Sequence, residues 1–231
     1  MAYPIFLFLT LYFNLVIFMD FMGAISKDGL NIANKSREIV KNKIKEVLGD
    51  KINKFSEKEM GIIERVVHAT ADPEYAKLLV FKNNPIEEGI KAIRDKKPII
   101  VDVNMIKAGI RYDEVYCFIN HPDVFEIAKK EGITRAVASM RLAKDLIDEG
   151  VVVIGNSPTA LFEVIRLIKE ENIKPKLVVG VPVGFVQASE SKETLREMDV
   201  PSISTIGPKG GTPVAVSIIN GIIAYAKDEK A

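Results

Sequence analysis

Residues 151–165 read VVVIGNSPTALFEVI, and this stretch decides the fold class. The run VVVI carries no polar alternation, as a strand covered on both faces requires. A glycine and an asparagine then break the run. Ser157-Pro158 follows, a cap residue with proline at the first helical position, ahead of apolar residues at helical spacing. A strand, a sharp break and a capped helix within fifteen residues make the first half of a βαβ unit. The same texture recurs at PIIVDV (98–103), EVYCFI (114–119), KLVVGV (176–181) and PSISTI (201–206). Short β-branched runs alternating with helical patterns predict a three-layer α/β/α sandwich around a mostly parallel, five-stranded sheet.

Upstream of these runs the chain reads as helices. Ile32, Ile39, Val40, Ile44 and Leu48 recur at helical spacing among Lys and Glu, predicting an amphipathic helix. Ser56 followed three residues later by Glu59 is a capping box, and Ile62, Ile63, Val66 and Val67 give the buried stripe of a second helix. Asp72-Pro73-Glu74 reads as a fresh helix start, so the second helix ends between His68 and Ala71.

With 32 Lys plus Arg against 31 Asp plus Glu, the chain has no global field that would draw nucleic acid or anionic lipid. Any recognition of charge is local. The single cysteine, Cys117, rules out an internal disulfide, fits a reducing cytosol, and reads as a buried small hydrophobe. Two histidines and one cysteine far apart in sequence give no zinc spacing, so no metal is expected. The first nineteen residues, MAYPIFLFLTLYFNLVIFM, carry no charge. Three accounts of residues 1–23 stand: a mis-assigned start upstream of Met19 or Met22, a membrane anchor across residues 2–19, or an ordered apolar extension to a domain spanning 24–231.

Ligands of open parallel sheets bind beyond the carboxyl ends of the strands. The loops expected there are NMIKAG (104–109), NHPD (120–123), GNSPT (155–159), PVGFVQASESKE (182–193) and GPKGGTP (207–213). Ser157-Pro158 and Thr212-Pro213 would bring helix N-termini with unpaired N–H groups to that rim, a setting suited to anionic ligand groups. GPKGGT lacks Walker A spacing, and its glycines read equally well as turns needing positive φ. No serine sits in a G-x-S-x-G elbow, so proton transfer is the open chemistry. His68 falls in the last turn of its helix, where the dipole favours an imidazolium, with Arg65 on the same face to oppose that unless an anion neutralises it. The plain alternative is that His68 only bonds a terminal carbonyl. His121, directly after a predicted strand, competes for the same role.

Seven stretches, in this order, resemble the precorrin-8X methylmutase (precorrin isomerase) family of corrin and cobalamin biosynthesis: SKDGLNIANKSREIV, ERVVHATADPEY, VDVNMIKAGI, GITRAVASM, VVVIGNSPTALFEVI, VVGVPVGFVQASESKE and KGGTPVAVSIINGI. The resemblance implies a flavodoxin-like, cofactor-free, cytoplasmic isomerase that works as a homodimer. It would move a methyl group from carbon 11 to carbon 12 of precorrin-8 or cobalt-precorrin-8, giving hydrogenobyrinate or cobyrinate. By the same resemblance His68 is the proton donor, and Ser36, Arg65, Asn156, Ser157, Lys192, Gly210 and Gly211 contact the substrate. Gln187 stands where members of the family carry a small residue, usually glycine. The apolar N-terminus has no counterpart there, which favours the mis-assigned start. Two other functions are weighed: a non-catalytic tetrapyrrole carrier, and a nucleotide-handling enzyme using GNSPT and GPKGGT.

Overall fold

Apolar runs bounded by breaks cannot leave either face in water, and here they pair side by side with helices on both faces. The computed structural model describes residues 26–228. The stretch 1–23, with the three accounts of it, lies outside the described residues. Eleven helices and six strands follow one another among the described residues: α1 (Lys27–Leu48), a 3₁₀ turn (Gly49–Lys54), α2 (Glu57–Thr70), α3 (Tyr75–Leu78), β1 (Leu79–Lys82), α4 (Pro85–Arg94), β2 (Ile99–Val101), α5 (Asn104–Gly109), β3 (Val115–Tyr116), α6 (Pro122–Glu131), α7 (Arg135–Leu142), α8 (Lys144–Ile147), β4 (Val151–Ile154), α9 (Pro158–Glu171), β5 (Leu177–Gly180), α10 (Ala188–Glu197), β6 (Ser202–Thr205) and α11 (Thr212–Asp228).

The sheet order is β1-β6-β5-β4-β2-β3. All pairs are parallel except β1 with β6, where Leu79 faces Thr205 and Lys82 faces Ser202. The five strands read from the sequence are therefore joined by a sixth. Residues 79–82 lead straight out of the single-turn helix α3 with no glycine or proline between them. Nothing in the local sequence marks that change of state. β3 and β4 lie on opposite sides of β2, so the chain changes its direction of winding there and opens a crevice above the carboxyl ends of β2 and β4.

Alternate strand residues feed two cores. Ile99, Val101, Val151, Val153, Leu177, Val179 and Ile203 face α1, α2, α4, α5 and α11, whereas Ile100, Val152, Ile154 and Val178 face α7 to α10. Each fully buried aliphatic contributes about 1.5–3 kcal/mol, so the sheet is anchored on both sides. The α1 stripe is narrower than the sequence predicts. Val40, Ile44 and Leu48 are buried, but Ile32 and Ile39 are 70% and 51% exposed, on the same helix face as Ser36. Cys117 is half-buried against the first core, where burial pushes its thiol up. Among the described residues no helix is long and apolar enough to cross a membrane.

Candidate active site

His68 lies in the last turn of α2, a helix started by the Ser56–Glu59 capping box that the sequence predicts. The Val66 carbonyl in its last turn is met by another side chain. Thr70 Oγ1 donates to Val66 O at 2.8 Å and accepts from Asp72 N–H at 3.3 Å, and Ala71 turns the chain in a left-handed conformation, φ 54. His68 is thus not used as a cap. It is exposed, and its Nδ1 lies 3.0 Å from Ser36 Oγ across on α1. A hydroxyl can donate to a neutral imidazole or accept from a charged one. When the hydroxyl donates, and when the ring is charged, Nε2 carries a hydrogen, and among the described residues no partner occupies it.

His121 has a different task. It is the N-cap of α6, with Nδ1 accepting from Asp123 N–H at 3.3 Å beside the edge strand β3. The structure so separates two histidines that the sequence alone does not.

The turn after His68 is latched to the loop between β6 and α11. Lys209 Nζ reaches Asp72 Oδ2 and Glu74 Oε2, each at 2.6 Å, and Tyr75 Oη donates to Gly210 O at 3.2 Å. The hydrogen bond from Lys209, with its charge, holds the Asp72 carboxyl below its usual range. Gly207 and Gly211 adopt positive φ, 71 and 114, and a Cβ on Gly210 would lie 2.1 Å from Val181 O. Backbone geometry accounts for these glycines, which removes the prompt for a nucleotide cradle. The expected contact Lys192 lies behind this loop. It is fully buried, and its Nζ donates to Lys209 O at 2.8 Å and Thr205 Oγ1 at 3.1 Å. Burial, with Arg196 nearby, lowers its ammonium to about 8. Arg65 packs its stem on α11, where a Cβ on Gly221 would come within 3.0 Å of Arg65 Cδ.

At the crevice the sequence reading missed Asp102. This carboxylate is fully buried and accepts three successive N–H groups: Gly155 on Oδ1 at 3.2 Å, and Asn156 and Ser157 on Oδ2 at 2.9 and 2.7 Å. Burial pushes its carboxyl up, and the three N–H groups pull the other way. Ser157 Oγ caps Ala160 N–H at 3.4 Å. The N–H groups of Gly155, Asn156, Ser157 and Ala160, around the start of α9, are therefore already taken by the protein. The signal was there to read: an acid at the end of the otherwise apolar run PIIVDV. Gln187 caps α10 with φ 62, a left-handed conformation that glycine adopts without strain.

The rim thus combines an accessible imidazole held by a hydroxyl, two loops fixed from beneath, and exposed Val183, Phe185 and Val186 above β5. Residues 31–225 match the family model described as Precorrin-8X methylmutase. The chain belongs to the precorrin-8X methylmutase family. It is accordingly an isomerase of cobalamin biosynthesis, one that handles a tetrapyrrole. The cobalt-precorrin-8 methylmutase of Methanocaldococcus jannaschii is 90% identical over 210 residues, 91% of this chain and 100% of that protein. That of Methanothermobacter thermautotrophicus is 46% identical over 209 residues, 90% and 99% of the two chains. A solved precorrin-8X methyl mutase from Thermus thermophilus has the same fold, with a TM-score of 0.76 at 35% identity over 87% of this chain and 99% of that one. The family reading fits the α/β sandwich and the order of the motifs along it.

Proposed function

We propose that this methylmutase converts cobalt-precorrin-8, or its metal-free form, by moving a methyl group from carbon 11 to carbon 12, with His68 as proton donor. The observation that carries the proposal is the exposed imidazole whose Nδ1 is engaged by Ser36, leaving Nε2 open to the substrate. A 1,5-methyl shift needs neither nucleophile nor hydride. Proton transfer from Nε2 to a ring nitrogen beside the migration terminus makes the π-system electron-poor. The methyl then migrates with its bonding pair, and the proton returns to Nε2. A placed acid contributes about 10²–10⁴-fold. Asn156, Ser157, Gly210 and Gly211 would line the ring's edge and Val183, Phe185 and Val186 its apolar face, while Lys192 and Arg65 support the loops and α11 from behind.

A homodimer belongs to the same reading. Ile32 and Ile39 flank Ser36 as exposed apolar side chains, a face that gains from being covered. Light scattering at micromolar concentration checks this. A cytoplasmic location agrees with the single unpaired cysteine.

Replacing His68 by Ala tests the chemistry. Loss of turnover by about 10²–10⁴-fold with product affinity retained, both followed in the visible spectrum, is the expected result. Undiminished turnover would refute the assignment. A tetrapyrrole carrier would keep its whole function in that variant.

A further inference from the structure

We infer that Asp102 is a positioning residue of the methyl-transfer site, a built-in carboxylate that occupies the anion cradle at the crevice and so fixes the 155–157 loop. In doubly wound folds, a loop running from a strand into a capped helix beside the winding switch presents its N–H groups to a ligand's anionic group. Here the same loop leaves β4 and enters α9, and its three N–H groups converge instead on Asp102, at the end of β2. The carboxylate is completely buried. Its charge is answered by three backbone N–H dipoles, and charge-assisted bonds of this kind are the strong ones.

Two consequences follow for the loop. Its donors face inward, so the side of the loop turned to the rim offers Asn156, which is exposed, and the Ser157 hydroxyl, which is shared between Ala160 N–H and Thr159 Oγ1. Its position is also set from the other side. A Cβ on Gly155 would lie 2.9 Å from both Ala215 Cβ and Ile106 Cδ1, and 3.2 Å from Gly211 O. Asp102 thereby sets the spacing between the 155–157 loop and the loop latched to the His68 corner. An anionic substituent of the ligand finds the Gly155, Asn156 and Ser157 donors already occupied.

The effect on KM rests on the reading that Asn156 and Ser157 touch the tetrapyrrole, whereas the positioning itself does not. The experiment separates the two by comparing Asp102→Ala and Asp102→Asn with the parent enzyme. Hydrogen exchange at Gly155, Asn156 and Ser157 reports positioning, and those amides are expected to lose protection by roughly tenfold or more in both variants, as loss of a buried charged acceptor predicts. Steady-state assays report contact with substrate, with KM rising roughly tenfold and kcat staying within about threefold. Formate, at about 0.1 M, is the decisive probe: it restores KM and amide protection to Asp102→Ala, whose cavity accepts it, and not to Asp102→Asn, whose amide fills the space and turns a donor toward the N–H groups. Unchanged protection in either variant overturns the inference. Changed protection with unchanged KM keeps the positioning and removes the loop from the substrate site. Should Asp102→Ala fail to fold, Asp102→Asn alone decides on amide protection. A folded Asp102→Ala that loses affinity and does not respond to formate also overturns the inference.

Discussion

Gly210→Ala gives the most demanding test of how the site is built. Gly210 is not one of the positive-φ glycines, so the change is steric. The new Cβ would sit 2.1 Å from Val181 O, 2.9 Å from Val181 C and 3.0 Å from Pro182 O, where ordinary contact starts at 3.4 Å. All three atoms are backbone at the end of β5, in the interior of the sheet, so the loop must move by about 1 Å. That movement strains the bonds holding the loop: Gly211 N–H to Val181 O at 2.9 Å, Tyr75 Oη to Gly210 O at 3.2 Å and Lys192 Nζ to Lys209 O at 2.8 Å. Overpacking costs about 1–3 kcal/mol and each lost bond about 1 kcal/mol, so a stability loss of about 2–4 kcal/mol is expected. A displacement of this size beside the reacting geometry costs about 10²-fold in turnover. The assays are urea unfolding and the visible-spectrum rate with cobalt-precorrin-8. Gly207→Ala is the control: φ is 71 with nothing within 4 Å of the new Cβ, so it costs about 1 kcal/mol and leaves turnover intact. Parental KM and kcat in Gly210→Ala would refute the claim that this close approach fixes the loop.

Three further outcomes follow from named contacts. Folding holds Lys192 at about 8 against an ordinary 10.5, so between those values the unfolded chain binds the extra proton and stability rises with pH. Lys192→Met should abolish that rise, which amounts to about 3 kcal/mol, as measured by urea unfolding between pH 7 and about 10.5; an equal rise in the variant would count against it. Glu163 is 5% exposed, with Arg166 Nη2 at 2.6 Å and Arg141 Nε at 2.8 Å. Burial raises its carboxyl, but the two guanidiniums outweigh burial and hold it below 4.5. Its contribution is therefore present above pH 4.5 and lost as pH falls through the lowered value. Glu163→Gln should destabilise by about 3 kcal/mol at neutral pH and flatten the acid-melting curve, with turnover unchanged at a permissive temperature; a cost below about 0.5 kcal/mol would show that the pairs are worth no more than exposed ones. Ser36→Ala frees His68 Nδ1, and kcat should fall roughly tenfold at near-constant KM and unfolding midpoint, since one half-exposed bond is lost. An unchanged kcat would show that the hydroxyl does not orient the ring.

What could be read from the sequence follows from how local each determinant is. The capping box at Ser56, the stop before Ala71 and the alternation of β-branched runs with Ser157-Pro158 are decided within a few residues. The edge strand β1 is not, because four residues become a strand only by pairing with β6, over a hundred residues away. Ile32 and Ile39 match the helical period of the buried stripe, but the period cannot tell which arc of the helix meets the second core element. Among site residues, His68 and Ser36 come together across two helices, and only the packing of α1 on α2 shows it. Lys192 is less legible: a lysine near a rim loop reads as a ligand for carboxylates, and only the fold shows that it is buried with its ammonium on the Lys209 carbonyl.

The antiparallel strand β1 has a consequence for heat. It occupies the border of the sheet, so among the described residues one row of its peptide groups has no neighbouring strand, and border strands of four residues open before the interior does. Only α3 separates it from the Asp72–Tyr75 corner that the Lys209 latch grips from the far side. Warming that frays the border therefore slackens the catalytic corner first. The enzyme should fall silent several degrees below the temperature at which its interior melts.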